Sequence, residues 1–414
     1  MSTCRICGHS VTEPIVSLGA QPLANSYPWP ADLTRPVTLG QTPEPRYPLD
    51  LVRCPACALV QITEVVPPEV LFRDYLYLSS YSTTMVASAE ALVARLIAER
   101  GLSNESLAVE VASNDGYLLQ HYVRAGVPVL GIEPARNVAE IAVRERGVRT
   151  LPEFFGETLA EKLRGEGELA DVIHANNVLA HVADLNGFVA GFRVLLKESG
   201  VVVSESPYLA PFLERVEFDT IYHEHLYYYS LTALDRLFRR HGLVIEDCEQ
   251  LPIPGGTLRI FVRHEGAATP GPRVRALLED EARWGVDTAA PYARFAAGVE
   301  SVKAELVRVI RELRAGGARV AAYGAAAKGT VLLNAAGLGA ADLDFVCDKN
   351  PLKQGRVMPG VHVPIVPASR LLEAQPEYCL MLVWNIADEV RREQAEYLQR
   401  GGRFILPTPT VRIQ

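Results

Sequence analysis

The sequence lacks a surplus of positive charge: 41 Lys and Arg stand against 49 Asp and Glu, for a net charge of -8. That balance excludes a general polyanion binder and leaves room only for a local basic pocket around one phosphorylated ligand, so no nucleic-acid partner is expected. No apolar run reaches the ~18 residues of a membrane span, and Met1-Ser2-Thr3-Cys4 has nothing of a signal peptide. No membrane partner follows, and the expected location is cytoplasmic. Short-period repeats and low-complexity tracts are missing. So are the His-Glu-x-x-His spacing of zinc peptidases and the three-glycine turn that dinucleotides require. What is present is an ordinary globular composition, 49% hydrophobic and 22% charged, in 414 residues. That is length enough for two or three domains with real cores.

Seven cysteines fall into two pairs and three singletons. Cys4-Arg5-Ile6-Cys7-Gly8 and Cys54-Pro55-Ala56-Cys57 are two Cys-x-x-Cys knuckles, each spacing two thiolates for one shared tetrahedral ion. Cys4, Cys7, Cys54 and Cys57 therefore read as a structural zinc site. With all four positions filled by protein, the metal is a staple and keeps no open position for catalysis. Between the knuckles the chain is Pro-rich, from Gln21-Pro22 through Pro43 and Pro45, and reads as poor in regular structure. Beyond them, Asp74 to Ser82 alternates aromatics with hydroxyls and reads as a half-buried strand or a loop closing on a ligand. Met85 to Arg100 reads as an amphipathic helix stopped by Gly101.

A βαβ unit follows. Leu107-Ala108-Val109-Glu110-Val111-Ala112 is a buried-strand pattern, Ser113-Asn114-Asp115-Gly116-Tyr117 a tight turn, and Val129-Leu130-Gly131-Ile132 a second strand tipped by Glu133. An acid at that tip is placed to take both hydroxyls of a ribose. With one glycine the turn has little room for a pyrophosphate, which the Glu110 carboxylate would also repel. A nucleoside with no phosphate and a positive centre fits better, and S-adenosylmethionine is such a ligand. Asp171 to Val182 adds a strand whose end carries Asn176 and Asn177 towards the cofactor and His181 towards the substrate. Strands at 200–203, 243–246 and 258–262 complete an expected seven-stranded sheet with an antiparallel end, and Ser230 caps a helix from Leu231 to His241.

The stretch Glu217 to Tyr229 holds two imidazoles, several carboxylates and four phenols. Tyr222-His223-Glu224-His225 suits proton transfer, with His223 or His225 taking a proton near neutrality and Glu224 setting the tautomer. The His-x-His spacing puts both imidazoles on one side if the segment is a strand. Further on, Tyr323-Gly324-Ala325-Ala326-Ala327-Lys328-Gly329 opens a second βα turn, with Asp348 at the tip of the next strand. Small residues let backbone amides approach a phosphate, and Lys328 adds charge.

Taken together, the two-knuckle head, the Glu110 to Leu118 turn, Tyr222-His223-Glu224-His225 and the Tyr323 to Gly329 turn resemble, in this order and over essentially the whole chain, the sugar C-methyltransferases of deoxysugar antibiotic pathways. The resemblance is to the tetronitrose-pathway type, which methylates C-3 of a 4-keto-deoxyhexose. It implies an α/β chain of three domains: a zinc-binding domain (1–70), a central Rossmann-like methyltransferase domain for S-adenosylmethionine (71–265), and a C-terminal Rossmann-like nucleotide-sugar domain (266–414). It implies a dTDP-linked 4-keto-deoxysugar as substrate, with Tyr222, Glu224 and His225 at the sugar and His225 or Tyr222 as base. His181 and the Tyr75/Tyr77 loop would complete that pocket. Ser113, Asn114, Gly116, Tyr117, Glu133 and Asn177 would fall on the cofactor, and Tyr323, Lys328, Asn334 and Asp348 near the substrate's nucleotide. C-5 methylation, another nucleotide-linked keto sugar, or a non-catalytic nucleotide-sugar binder remain alternatives. The oligomeric state is open, with a monomer as the working expectation.

Overall fold

The computed structural model describes residues 2–11, 14–34, 44–67, 71, 78–81, 83–251 and 255–414. Tyr75 and Tyr77 lie outside these, as does most of the strand expected at 74–82. Its described remainder, Ser79–Tyr81, is a 3-10 turn.

Continuous apolar runs with no polar alternation demand cover on both faces, and they form the middle of the central sheet. Ala108–Val111 is buried at every residue and pairs in parallel with Val129–Ile132 on one side and Ala170–Asn176 on the other. Thr150–Leu151 extends one edge. Leu196–Pro207 continues the other, and antiparallel Thr257–His264 and Leu243–Leu251 finish it, giving the expected seven strands. Ligands in such sheets lie across the carboxyl ends of the parallel strands. Ser230 caps helix Leu231–Arg240 by accepting from the Ala233 amide at 3.1 Å, as its position suggests.

The C-terminal sheet has six strands, in the order Ile365–Pro367, Val346–Asp348, Val320–Tyr323, Tyr378–Met381, Arg403–Leu406, Arg412–Ile413. All are parallel except the last. Two helices lead into it, Pro272–Trp284 and Ala290–Ala315. The first belongs by packing to the central lobe. Its Glu281, fully buried, accepts from the Leu231 and Thr232 amides at 2.7 Å each and from the Tyr208 hydroxyl at 3.0 Å, so it serves as a remote cap for helix Leu231–Arg240.

The zinc lobe holds more regular structure than its prolines suggested. Pro14–Pro22 and Arg46–Arg53 form a long antiparallel pair, with Val60–Ile62 beyond. Alternation wins: Val16, Leu18, Leu49 and Leu51 share the buried face. The prolines sit where a strand lacks a neighbour, as Pro48 does beyond the reach of Val60–Ile62. The fourth strand comes from far away. Tyr227–Tyr228, at the end of the histidine–tyrosine stretch, pairs with Val60 and Gln61. No helix among the described residues is long and apolar enough to cross a membrane.

Candidate active site where three lobes meet

The two cysteine knuckles are copies of one turn. The Cys4 amide donates to His9 O at 2.8 Å and the Gly8 amide to Cys4 O at 2.8 Å; the Cys54 amide donates to Leu59 O at 2.8 Å and the Ala58 amide to Cys54 O at 2.9 Å. Gly8 and Ala58 occupy the same left-handed position, at φ 75° and 60°. Their four sulfurs lie within 4.8 Å of one another, and the closest approaches, 3.3 Å and 3.5 Å, are too long for disulfides. Four thiol donors converging, with no fifth ligand among the described residues, fit a closed tetrahedral zinc site. His9 is exposed and stands outside it.

At the carboxyl ends of the central strands the backbone turns tightly, with Ala112, Asn114 and Gly116 at φ 55°, 49° and 76°. Only glycine suits the last, since a Cβ on Gly116 would also lie 3.0 Å from Val148 Cγ2. Glu133 is held at the strand tip by the Asn114 and Ala135 amides, both at 2.9 Å. Glu110 is buried beside it. Burial, and then the neighbouring Asp115, Glu133 and Glu205 carboxylates, push its pKa well up. Glu110 Oε2, Ser113 Oγ and Asn176 Oδ1 are buried with no hydrogen-bond partner among the described residues. Asn177 turns the chain at φ 54° with its amide on Glu205 O. Tyr117 is buried beneath the turn. Unsatisfied acceptors and an acidic field fit a cationic nucleoside, which is the chemistry of S-adenosylmethionine.

The histidine–tyrosine segment is a turn, not a strand, and this separates its imidazoles. The His225 amide donates to Tyr222 O at 2.8 Å, so residues 222 and 225 stand side by side with ring centroids 4.0 Å apart. The Tyr222 hydroxyl lies 2.8 Å from His225 Nε2, and His225 Nδ1 lies 3.0 Å from the Thr220 carbonyl. A carbonyl only accepts, so Nδ1 carries the hydrogen and Nε2 is the lone pair facing the phenol. Burial, with His181 and Lys328 nearby, lowers the His225 pKa to about 3. His181 packs edge-on at 5.1 Å and directs Nδ1 at Glu224 O, 2.6 Å away. His223 turns instead into the zinc lobe, onto Pro48 O at 3.1 Å and the Tyr47 ring. Glu224 does not set the tautomer. Its carboxylate accepts from Asn25 Nδ2 at 2.7 and 3.0 Å, and burial raises its pKa to about 7.

The C-terminal turn faces the same junction. Lys328 Nζ donates to Asn385 Oδ1 at 2.5 Å and lies 4.9 Å above the Trp384 ring, whose Nε1 donates to Asp219 at 2.6 Å. Burial raises Asp219 to about 6 and Glu217 to about 7, and Asp219 Oδ1 and Glu217 Oε1 have no hydrogen-bond partner among the described residues. A cleft of about 440 Å³ opens beside Trp384 and Asn385, with Arg391 and Arg412 on its walls. Two of the residues expected near the substrate's nucleotide, Asp348 and Asn334, also hold backbone groups. Asp348 accepts from the Ala325 and Asn350 amides at 2.7 Å each, and Asn334 Nδ2 donates to Thr330 O and Pro359 O. Tyr323 packs in an apolar cluster with Cys347, Met381 and Tyr397. Asn25, Trp384 and Asn385, by contrast, had no local signal to mark them, whereas Asp219 lay in the Glu217 to Tyr229 stretch without a role of its own.

The chain matches three families: a zinc binding domain over residues 4–72, a methyltransferase domain over 84–247, and the C-methyltransferase C-terminal domain over 252–409. It is 36% identical over 411 residues to the C-methyltransferase NovU of Streptomyces niveus, covering 99% of this chain and 96% of that one. The chain belongs to this C-methyltransferase family. The C-methyltransferase also shares 32% identity over 94 residues with a ubiquinone biosynthesis O-methyltransferase of Bartonella quintana, 23% of this chain and 38% of the other. Among solved structures, the magnesium protoporphyrin IX methyltransferase of Synechocystis aligns over 44% of this chain and 79% of its own, at 14% identity and TM-score 0.33. The C-methyltransferase is therefore an S-adenosylmethionine-dependent enzyme with a zinc-binding head, as its sequence suggested.

Proposed function

We propose that this C-methyltransferase acts on a dTDP-linked 4-keto-deoxysugar, removing the proton at C-3 and methylating the resulting carbanion, in deoxysugar biosynthesis. The observation that carries this reading is the hydrogen-bonded line from the Tyr222 hydroxyl through His225 Nε2 and Nδ1 to the Thr220 carbonyl. A C–H beside a ketone is acidic because its electron pair spreads onto the carbonyl oxygen. Tyr222 and His225 take that proton as one unit. An imidazole held low by burial gains basicity as negative charge builds on the adjacent enolate. S-adenosylmethionine supplies an electrophilic methyl group on a sulfonium, held by Glu110, Ser113, Asn114, Gly116, Tyr117, Glu133, Asn176 and Asn177. His181 braces the turn through Glu224 O. Lys328, beside the Trp384 cleft, meets the anionic diphosphate.

The test is solvent deuterium wash-in on the dTDP-4-keto sugar with cofactor withheld, followed by transfer of a labelled methyl group. Exchange at C-3, lost in His225→Ala, is expected. Exchange at C-5 would move the chemistry to that carbon, and no exchange at either would refute the enolate.

A further inference from the structure

The segment Ala24-Asn25-Ser26-Tyr27-Pro28-Trp29 leaves the zinc lobe and lies along the C-terminal lobe. Thr330 Oγ1 donates to Ala24 O at 3.0 Å, and the Tyr27 hydroxyl donates to Ala325 O at 2.7 Å. Lys353 Nζ sits 4.6 Å over the Tyr27 ring, Arg356 donates to Tyr27 O at 2.9 Å, and the Val357 amide donates to Pro28 O at 3.1 Å. Arg356 also stacks on Trp29 at 4.6 Å. Tyr27 adopts φ 29°, a conformation that needs such over-determined surroundings. One side chain of this strap points elsewhere. Asn25, itself exposed, gives its Nδ2 to both oxygens of buried Glu224, 199 residues away.

We propose that Asn25 is a positioning residue of the methyl-transfer site: its amide holds the Glu224 carboxylate in place, and the strap fixes that amide by clamping onto the C-terminal lobe. The proposal rests on the reading of Tyr222, Glu224 and His225 as the reacting cluster. Among the described residues, three groups face the Glu224 side chain: Asn25 and Tyr27 from the strap and Lys353 from the C-terminal loop. His181 meets only its backbone carbonyl. Asn25 and Lys353 favour the ionised carboxylate and burial opposes it. Tyr27 spends its hydroxyl on Ala325 O, so the strap offers Glu224 one donor. That donor is a further link between the zinc lobe and the reacting segment, beside the pairing of Tyr227–Tyr228 with Val60 and Gln61.

The experiment is the pH dependence of kcat in the zinc-loaded full chain for wild type, Asn25→Ala, Asn25→Asp and Glu224→Gln, and for Asn25→Ala combined with Glu224→Gln. Asn25→Ala is expected to move the acidic limb up by about one pH unit, which is about tenfold in kcat on that limb. Zinc content and the KM for S-adenosylmethionine stay unchanged. Asn25→Asp moves it further, and Asn25→Ala adds nothing once Glu224 is glutamine. An unshifted limb in Asn25→Ala, or an equal loss in the Glu224→Gln background, overturns the positioning role while leaving the site reading intact. Full activity of Glu224→Gln overturns the positioning role together with the place of Glu224 in the reacting cluster, whereas loss of exchange in His225→Ala tests the Tyr222–His225 pair separately.

Discussion

Replacing His225 with alanine removes the acceptor 2.8 Å from the Tyr222 hydroxyl and the ring that packs 4.0 Å from the phenol. A positioned general base contributes about 10²–10⁴-fold, or about 3–5 kcal/mol of barrier at 1.36 kcal/mol per tenfold. The groups assigned to the cofactor, Glu110, Ser113 and Glu133, share no hydrogen bond with His225. Calorimetric affinity for S-adenosylhomocysteine should therefore stay within about 0.5 kcal/mol of wild type, as for substitutions remote from a site. His225→Asn is the control for shape, since its amide can still donate to Thr220 O yet has no basic nitrogen to take a proton from the phenol. Tyr222→Phe tests the pair from the other side. If the two act as one unit, the double variant is no slower than either single one. The assay is labelled-methyl transfer under single turnover. A His225→Ala enzyme that keeps more than about a tenth of the wild-type rate, below the span expected of a general base, refutes the reasoning.

Glu224, raised to about 7 chiefly by burial, loses its charge as pH falls through that value, so kcat should decline below pH 7 and the limb should vanish in Glu224→Gln. Glu217→Gln is the control, because Glu217 is also raised to about 7; a limb that follows Glu217 would be the wrong one. Glu110 is pushed up by burial and three carboxylates, and a cation bound against it must lower it again, so any proton linked to cofactor binding should be released rather than taken up. Calorimetry in buffers of different ionisation enthalpy reads this directly; proton uptake, or release that persists in Glu110→Gln, would contradict it. Removing zinc with a chelator, or Cys54→Ser, should make residues 1–70 protease-sensitive and stop methyl transfer, because metal binding carries folding energy in so small a lobe. An undiminished rate in metal-free protein would show the staple to be dispensable.

Much of this architecture was legible in local pattern. Runs such as Ala108–Val111 and Val129–Ile132, buried at every position, announce central parallel strands, and two Cys-x-x-Cys knuckles announce their ion before any coordinates. What escaped was long-range. Asn25 meets Glu224 across 199 residues and Trp384 meets Asp219 across 165, and neither pair leaves a periodicity or a spacing to read. The His-x-His alternation misled because it presumes an extended backbone. The hydrogen bond closing the turn at 222 and 225 sends His223 to the zinc lobe and His225 to the phenol. Prolines misled in the same lobe, since they forbid only ladder bonds that an unpaired strand edge does not make.

The acid at the tip of the second strand carries a double meaning that the structure separates. In the central lobe Glu133 binds the amides of Asn114 and Ala135; in the C-terminal lobe Asp348 binds those of Ala325 and Asn350. In both, one amide comes from the turn after the first strand and the other from two residues past the acid. The carboxylate is thus first a pin that shapes its own turn, and only its remaining lone pairs are available to a ligand. The turns diverge in what surrounds the pin. Around Glu133 lie Glu110, Ser113 and Asn176 with unsatisfied buried acceptors, which call for a ligand with donors and positive charge. Around Asp348 lie Lys353 and the Tyr27 strap, already satisfied by Ala325 O. On the proposed reading, the same βα unit is a cofactor cradle in the central lobe and carries the Tyr27 strap in the C-terminal one, so the substrate's diphosphate is to be sought at Lys328, Trp384 and Asn385.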